Sequence, residues 1–185
     1  ANTMYLNPAF TGLTYENRFA LNYRNQWPGI KNGFSTYIAS FDHNMSHLHS
    51  GVGFFAMQDV SGTSNLTSTQ FGGNFAYSLR LNKYNEVRTG ALISIVQRKI
   101  DNSRLVFNDQ LITGSPLSLD AQNIQQINFA DLGIGGVINS ENYWLGIAIK
   151  HINQPNTSMN GGNSTQAMYY NVHGGYRFNL SGQKT

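Results

Sequence analysis

At 185 residues the chain suits a single domain, and only 11% of its residues are Asp, Glu, Lys or Arg, whereas soluble domains average about 25%. Its 12 basic and 9 acidic residues are spread along the sequence, which argues against nucleic acid as a partner. No apolar run reaches the roughly 18 to 20 residues of a transmembrane helix, so a membrane-spanning chain of this composition is predicted to form a closed sheet. The lack of cysteine excludes disulfides and thiolate metal sites.

Apolar and polar side chains alternate with the period of a β-strand, first in the segment from Glu16 to Asn25. Phe19, Leu21 and Tyr23 lie on one face of this predicted strand, and arginine and asparagine lie on the other. Further strands are predicted at Phe34 to His43, Gly51 to Asp59, Leu66 to Arg80, Glu86 to Lys99, Gln126 to Ile138, Tyr143 to His151 and Met168 to Asn179.

This pattern predicts an all-β protein, an antiparallel transmembrane β-barrel with about eight strands in this chain. Most of the segments are close to the roughly 9 to 11 residues that cross a bilayer. The row Leu145, Ile147 and Ile149 is predicted to face lipid, as is the row of the first strand. Glycines inside the strands are predicted to permit tight curvature; they are Gly51, Gly53, Gly72, Gly73, Gly133, Gly135, Gly136, Gly174 and Gly175.

Connections between the predicted strands alternate in length, as they do in outer-membrane barrels. If the N-terminus starts in the periplasm, the longer set faces outward. The longest connection, Ile100 to Ile124, has little periodicity and exceeds the roughly 12 to 15 residues beyond which loops are usually functional or disordered. We therefore predict a partner contact in this connection.

Three motifs occur in order along the chain. Met4 to Gly12 reads Met-Tyr-Leu-Asn-Pro-Ala-Phe-Thr-Gly, Tyr23 to Gly29 reads Tyr-Arg-Asn-Gln-Trp-Pro-Gly, and Leu105 to Gln110 reads Leu-Val-Phe-Asn-Asp-Gln. Together they resemble the motifs of the PorP/SprF family. Gly51 to Asp59, followed by Gly62, is similar to the family's glycine-rich strand and turn, so the resemblance extends over essentially the whole chain.

The resemblance implies a barrel of the bacterial outer membrane that works with the type IX secretion system and gliding motility. Its partners would be the C-terminal region of a secreted surface protein, which it would retain, or a periplasmic lipoprotein or ring component, which it would anchor. Residues 1–185 are interpreted as one barrel domain with an N-terminal segment, 1–15. Because the family is usually longer, further strands are expected after Thr185, as part of a larger barrel.

Residues of the three motifs are the candidate partner-binding positions. Trp27 and other aromatic residues are equally typical of the girdle at a membrane boundary. The candidates are Asn7, Pro8, Trp27, Leu105, Phe107, Asp109 and Gln110.

Neither a metal site nor a catalytic site is predicted, and no cofactor is expected. His43, His47 and His49 are close in sequence but have no metal-ligand spacing. The aspartates are interpreted as turn caps or lumen hydrogen-bonding groups, and neither a nucleophile elbow nor a phosphate-binding loop is present. The arginines are interpreted as lumen residues, because a charge facing hydrocarbon at mid-depth costs about 2 to 4 kcal/mol.

Two other functions remain open at this point. Alternating strands with a polar lumen would also suit a passive diffusion porin. An antiparallel sheet with one wet face would also suit a soluble β-sandwich adhesin. The distinguishing feature is the environment of the apolar rows: they face lipid in a barrel and pack together in a sandwich.

Overall fold

The structure is a computed structural model that describes residues 2–14, 16–29, 33–62, 66–101, 105, 108–114, 118 and 124–178. Eight strands form one antiparallel sheet in sequence order, so each strand pairs with the next along the chain. The strands are β1 (Asn17–Gln26), β2 (Phe34–Met45), β3 (Ser50–Ser61), β4 (Leu66–Arg80), β5 (Glu86–Lys99), β6 (Ile127–Asn139), β7 (Tyr143–Lys150) and β8 (Tyr169–Tyr176). Every predicted strand is present, with start points that differ by one residue at most.

The sheet curls into a half-barrel with a convex face that is apolar. Phe19 and Leu21 of β1 are 67% and 71% exposed, and Leu145 and Ile147 of β7 are 54% and 50% exposed. The two apolar rows therefore do not pack against each other, and the described strands form a single sheet rather than a sandwich. The fold prediction is confirmed at the level of an all-β, barrel-like sheet.

Charge is distributed unequally between the two faces. Successive residues of a strand point to opposite faces, so the register assigns each charged residue to one of them. Within the described strands, every Asp, Glu, Lys and Arg except Lys99 lies on the concave face. Lys99 is the last residue of β5. The convex face of these strands therefore carries no charge at mid-height. Such a face suits contact with the hydrocarbon of a bilayer, because a charged side chain at that depth is destabilising.

Two short helices precede the sheet and lie in its concavity. They are α1 (Thr3–Leu6) and a 3-10 helix (Pro8–Phe10). A second 3-10 helix, Ser46–Leu48, connects β2 to β3, and α2 (Asn108–Thr113) lies between β5 and β6. Helix α2 lies within the longest predicted connection, Ile100 to Ile124. Within the described ranges, no helix combines the length and apolar character needed to cross a membrane.

Connections at the two ends of the sheet differ in length, as predicted. The end that holds the β2–β3, β4–β5 and β6–β7 connections has short turns. The opposite end has the longer connections, except that the β3–β4 connection between Ser61 and Leu66 is as short as the turns. At the long-loop end, the side chain of Asn153 replaces the strand partner that β6 lacks there. It accepts from the Leu132 N–H at 3.1 Å and donates to the Ala130 carbonyl at 2.7 Å.

Candidate functional site

A row of small residues crosses the concave face. Gly51, Ala76, Gly90, Gly135 and Ala148 are successive register partners on β3 to β7. Because none has a side chain larger than a methyl group, the row forms a groove in the sheet. The strand glycines were predicted to permit tight curvature. The structure shows a further role for Gly51 and Gly135, which make room for another part of the chain.

The N-terminal plug, which we define as residues 2–12, fills this groove. A Cβ atom on Gly90 would overlap the backbone of Pro8 and Ala9, and one on Gly135 would overlap the side chain of Asn7. These glycines are therefore required by close approach of the plug.

Asn7 fixes the plug to two neighbouring strands. Its Nδ2 donates to the carbonyl oxygens of Gly136 (3.2 Å) and Ile147 (3.1 Å), and its Oδ1 accepts from the Ala9 N–H at 2.9 Å. The last contact caps the 3-10 helix, whose first residue, Pro8, has no N–H to satisfy. Asn7 is completely buried, so its polar atoms depend on these partners.

Two charged residues of the sheet hold the end of the plug. The Arg88 guanidinium donates to the carbonyls of Ala9 (3.0 Å) and Thr11 (2.8 Å). The Asp42 carboxylate accepts from the Gly12 N–H at 2.8 Å and forms an ion pair with Arg18 at 2.8 Å. Both charges are buried in the lumen, where hydrogen-bonded partners are needed to offset their desolvation.

Apolar contacts complete the plug on both sides of the groove. Met4 is fully buried with Phe55 and Leu92. Phe10 packs edge-to-face on Trp144, with ring centroids 5.6 Å apart. Packing and hydrogen bonds therefore both hold the plug on the concave face of the half-barrel, toward the short-turn end.

Above the plug, toward the long-loop end, the lumen is open as a cavity of about 990 Å³. Its mouth is a row of register partners across β1 to β5: Arg24, Thr36, Asp59, Ser68 and Arg98. Thr36 donates to Asp59, and the Arg98 guanidinium lies 5.5 Å from the centroid of the Phe129 ring.

The floor of the cavity is formed where the plug meets β7. The Lys150 ammonium lies 3.4 Å from the centroid of the Tyr5 ring, and His151 contacts Asp131 at 2.8 Å. Burial, with smaller contributions from the charges of Asp131 and Asp59, raises the pKa of Tyr5 to about 12. The Tyr5 phenol is therefore neutral near pH 7.

The predicted partner-binding residues do not form one cluster. Asn7 and Pro8 are buried under the chain's own sheet, and Trp27 is 54% exposed at the end of β1, edge-on to Phe34. Their assignment to a partner contact stays a prediction.

The remaining candidates belong to the long connection between β5 and β6. Leu105 is half-buried and Gln110 lies in α2, as does Asp109, whose side chain is outside the described residues. Phe107 also lies outside them. In the part of the chain that the structure describes, no group of three His, Cys, Asp or Glu residues is placed to hold a metal ion.

A family model described as type IX secretion system membrane protein PorP/SprF matches residues 1–185. The chain belongs to the PorP/SprF family. PorP/SprF proteins are thus membrane proteins of the type IX secretion system, and the half-barrel agrees with that description. No match was found among curated proteins or among solved structures.

Proposed function

We propose that this PorP/SprF protein is a non-enzymatic adaptor of the bacterial outer membrane that binds and retains a secreted cell-surface protein. The observation that carries the proposal is a concave face that is filled at one end and open at the other. The plug fills the short-turn end, and the cavity of about 990 Å³ opens among the longer connections. Long connections of outer-membrane barrels face the cell exterior, so the cavity would be accessible to a secreted protein.

The packed plug also argues against the passive porin. A diffusion channel needs an aqueous path along its inner face, whereas buried residues of the plug, such as Met4, Asn7 and Thr11, each 0% exposed, fill the described inner face at the short-turn end. The same feature favours a receptor over a pore. The alternative partner, a periplasmic lipoprotein or ring component, would contact the short-turn end, which the plug fills.

The proposal is tested by copurification from the native outer membrane. The full chain, tagged and extracted in detergent, should copurify with a surface protein identifiable by mass spectrometry. Ser68→Trp places a bulky ring in the mouth row and should abolish recovery. Thr69→Trp, one residue further along β4 and on the opposite face, is the matched control and should leave recovery unchanged.

Equal recovery with both variants would contradict binding through the cavity. A separate deletion within Ile100 to Ile124 tests the long connection. Loss of the surface partner would support a contact there, and unchanged recovery would argue against one.

A further inference from the structure

The apolar convex face contains a groove that crosses β1 to β4. Its floor is a pair of alanines, Ala39 of β2 and Ala56 of β3, which are register partners. Leu21 of β1 and Phe71 of β4 belong to the same row, lie on either side of the alanines and are 71% and 62% exposed. Because the floor is lower than its flanks, these side chains form an outward-facing groove of about 570 Å³.

The groove changes from apolar to polar toward the long-loop end. Two residues nearer that end, the convex side chains of β1, β2 and β3 are Tyr23, Tyr37 and Gln58, which form the next register row. The rings of Tyr23 and Tyr37 stack with their centroids 4.9 Å apart. Tyrosine is typical of membrane–water interfaces, because its ring is apolar and its hydroxyl is polar. This row is therefore placed where hydrocarbon gives way to lipid headgroups.

Two polar groups of this row are free to pair with a ligand. Neither the Tyr37 hydroxyl nor the Gln58 side-chain amide makes a hydrogen bond with another described residue, although the two residues are partners on neighbouring strands. Both side chains are exposed. An amide at the edge of hydrocarbon is costly unless a headgroup or water satisfies it.

The groove provides no counter-ion for a charged headgroup. None of the described residues that line it is Asp, Glu, Lys or Arg, and Lys99, the lysine of the convex face, lies outside it on β5. A phosphate would therefore enter without a charged partner. The hydroxyl groups of a sugar, in contrast, both donate and accept, as do the Gln58 amide and the Tyr37 hydroxyl.

We propose that this groove binds a membrane lipid with an uncharged sugar headgroup. One acyl chain lies over Ala39 and Ala56, between Leu21 and Phe71, and the sugar hydroxyls pair with Tyr37 and Gln58. The order of apolar and polar groups along the groove matches the order of tail and headgroup in such a lipid. The site goes beyond the proposed function, because it lies on the opposite face of the sheet from the cavity and the plug.

The test is native mass spectrometry of the full chain released from nanodiscs. The nanodiscs contain phosphatidylcholine with equal amounts of a glucosyl diacylglycerol and a phosphatidylglycerol that have the same acyl chains. The wild-type protein should retain the glucosyl lipid about three- to tenfold more than the phosphatidylglycerol, since each neutral hydrogen bond contributes roughly a factor of that size. Tyr37→Phe combined with Gln58→Leu keeps the groove but removes its free polar groups, so it should abolish the preference.

Ala56→Phe fills the floor of the groove and should also abolish the preference. Ala130→Phe is the matched control, because Ala130 of β6 lies on the same face and in the same register row as Ala56 but outside the groove. It should keep the wild-type ratio of the two lipids. Unchanged mobility on unheated SDS gels checks that each variant folds.

Three results would overturn the lipid site. They are equal retention of the two lipids by the wild-type protein, a preference for phosphatidylglycerol, and a preference for the glucosyl lipid that survives either Ala56→Phe or the double substitution. Loss of the surface partner from native membranes on Ala56→Phe would overturn it as well, since the groove would then bind a protein. Recovery of that partner with the lipid preference abolished supports the site and leaves the adaptor role separate from it.

Discussion

At the scale of single residues, Asn7 has the largest number of distinct roles in the described plug. It caps the 3-10 helix, donates to carbonyls on β6 and β7, and contacts His173 on β8 at 3.2 Å. A side chain with two donors and an acceptor in a planar group suits this position. Aspartate would lose both donors, and serine would not reach the strands.

Asn7→Ala should lower the free energy of unfolding by about 1 to 3 kcal/mol, because buried partners of the amide lose hydrogen bonds. The measurement is urea-induced unfolding of the protein in lipid vesicles, followed by tryptophan fluorescence. Asn25→Ala is the control: Asn25 is exposed near the end of β1, and its replacement should change stability by no more than about 0.5 kcal/mol. Equal effects of the two substitutions would contradict the role assigned to Asn7.

At the scale of elements, the plug and the groove are complementary surfaces from distant parts of the chain. Arg88 of β5 and Asp42 of β2 fix one end, and Met4 and Phe10 pack on either side of the small-residue row. The groove is too narrow for any added side chain at Gly90. Displacement of the plug should therefore follow from one substitution.

Gly90→Leu should displace the plug and open a path for ions. We expect wild-type protein in planar bilayers to pass little current, and both Gly90→Leu and a deletion of residues 2–12 to pass several-fold more. Gly73→Leu is the matched control, since Gly73 lies on the convex face, where an added Cβ would approach only the Phe54 ring and a backbone oxygen at ordinary contact distances. A large current through the wild-type protein would favour a passive porin instead.

At the scale of the whole molecule, the half-barrel separates two environments. Outward rows are apolar, and inward rows hold the buried Asp42, Arg88 and Asp131. The outer edges of β1 and β8 have no strand neighbour among the described residues. The expectation of further strands after Thr185 stays a prediction, as does the single-domain assignment.

A charge on the convex face tests this separation directly. Ile93 lies in the middle of β5 and is 63% exposed there. Ile93→Arg should destabilise the protein in vesicles by about 2 to 4 kcal/mol, and Leu79→Arg, near the end of β4, by about 0 to 1 kcal/mol, because the cost of a lipid-facing charge falls toward the interface. Equal tolerance of both substitutions would show that this face does not contact hydrocarbon.

The sequence by itself determined the strands and their two faces. Alternation is a local property with a period of two residues, so the exposure of Phe19 and Leu21 was predictable without knowledge of the neighbouring strands. The motif around Asn7 and Pro8 was recognisable too, although its contacts were not.

Only the tertiary structure decided where that motif lies and why glycines interrupt the strands. Gly51, Gly90 and Gly135 are far apart in sequence and become one groove only when the register of consecutive strands aligns them. The cavity and the contact between Lys150 and Tyr5 on its floor depend on the same register and on the position of the plug. Such contacts are non-local, and a pattern read along one chain segment contains no information about the strand that will lie beside it.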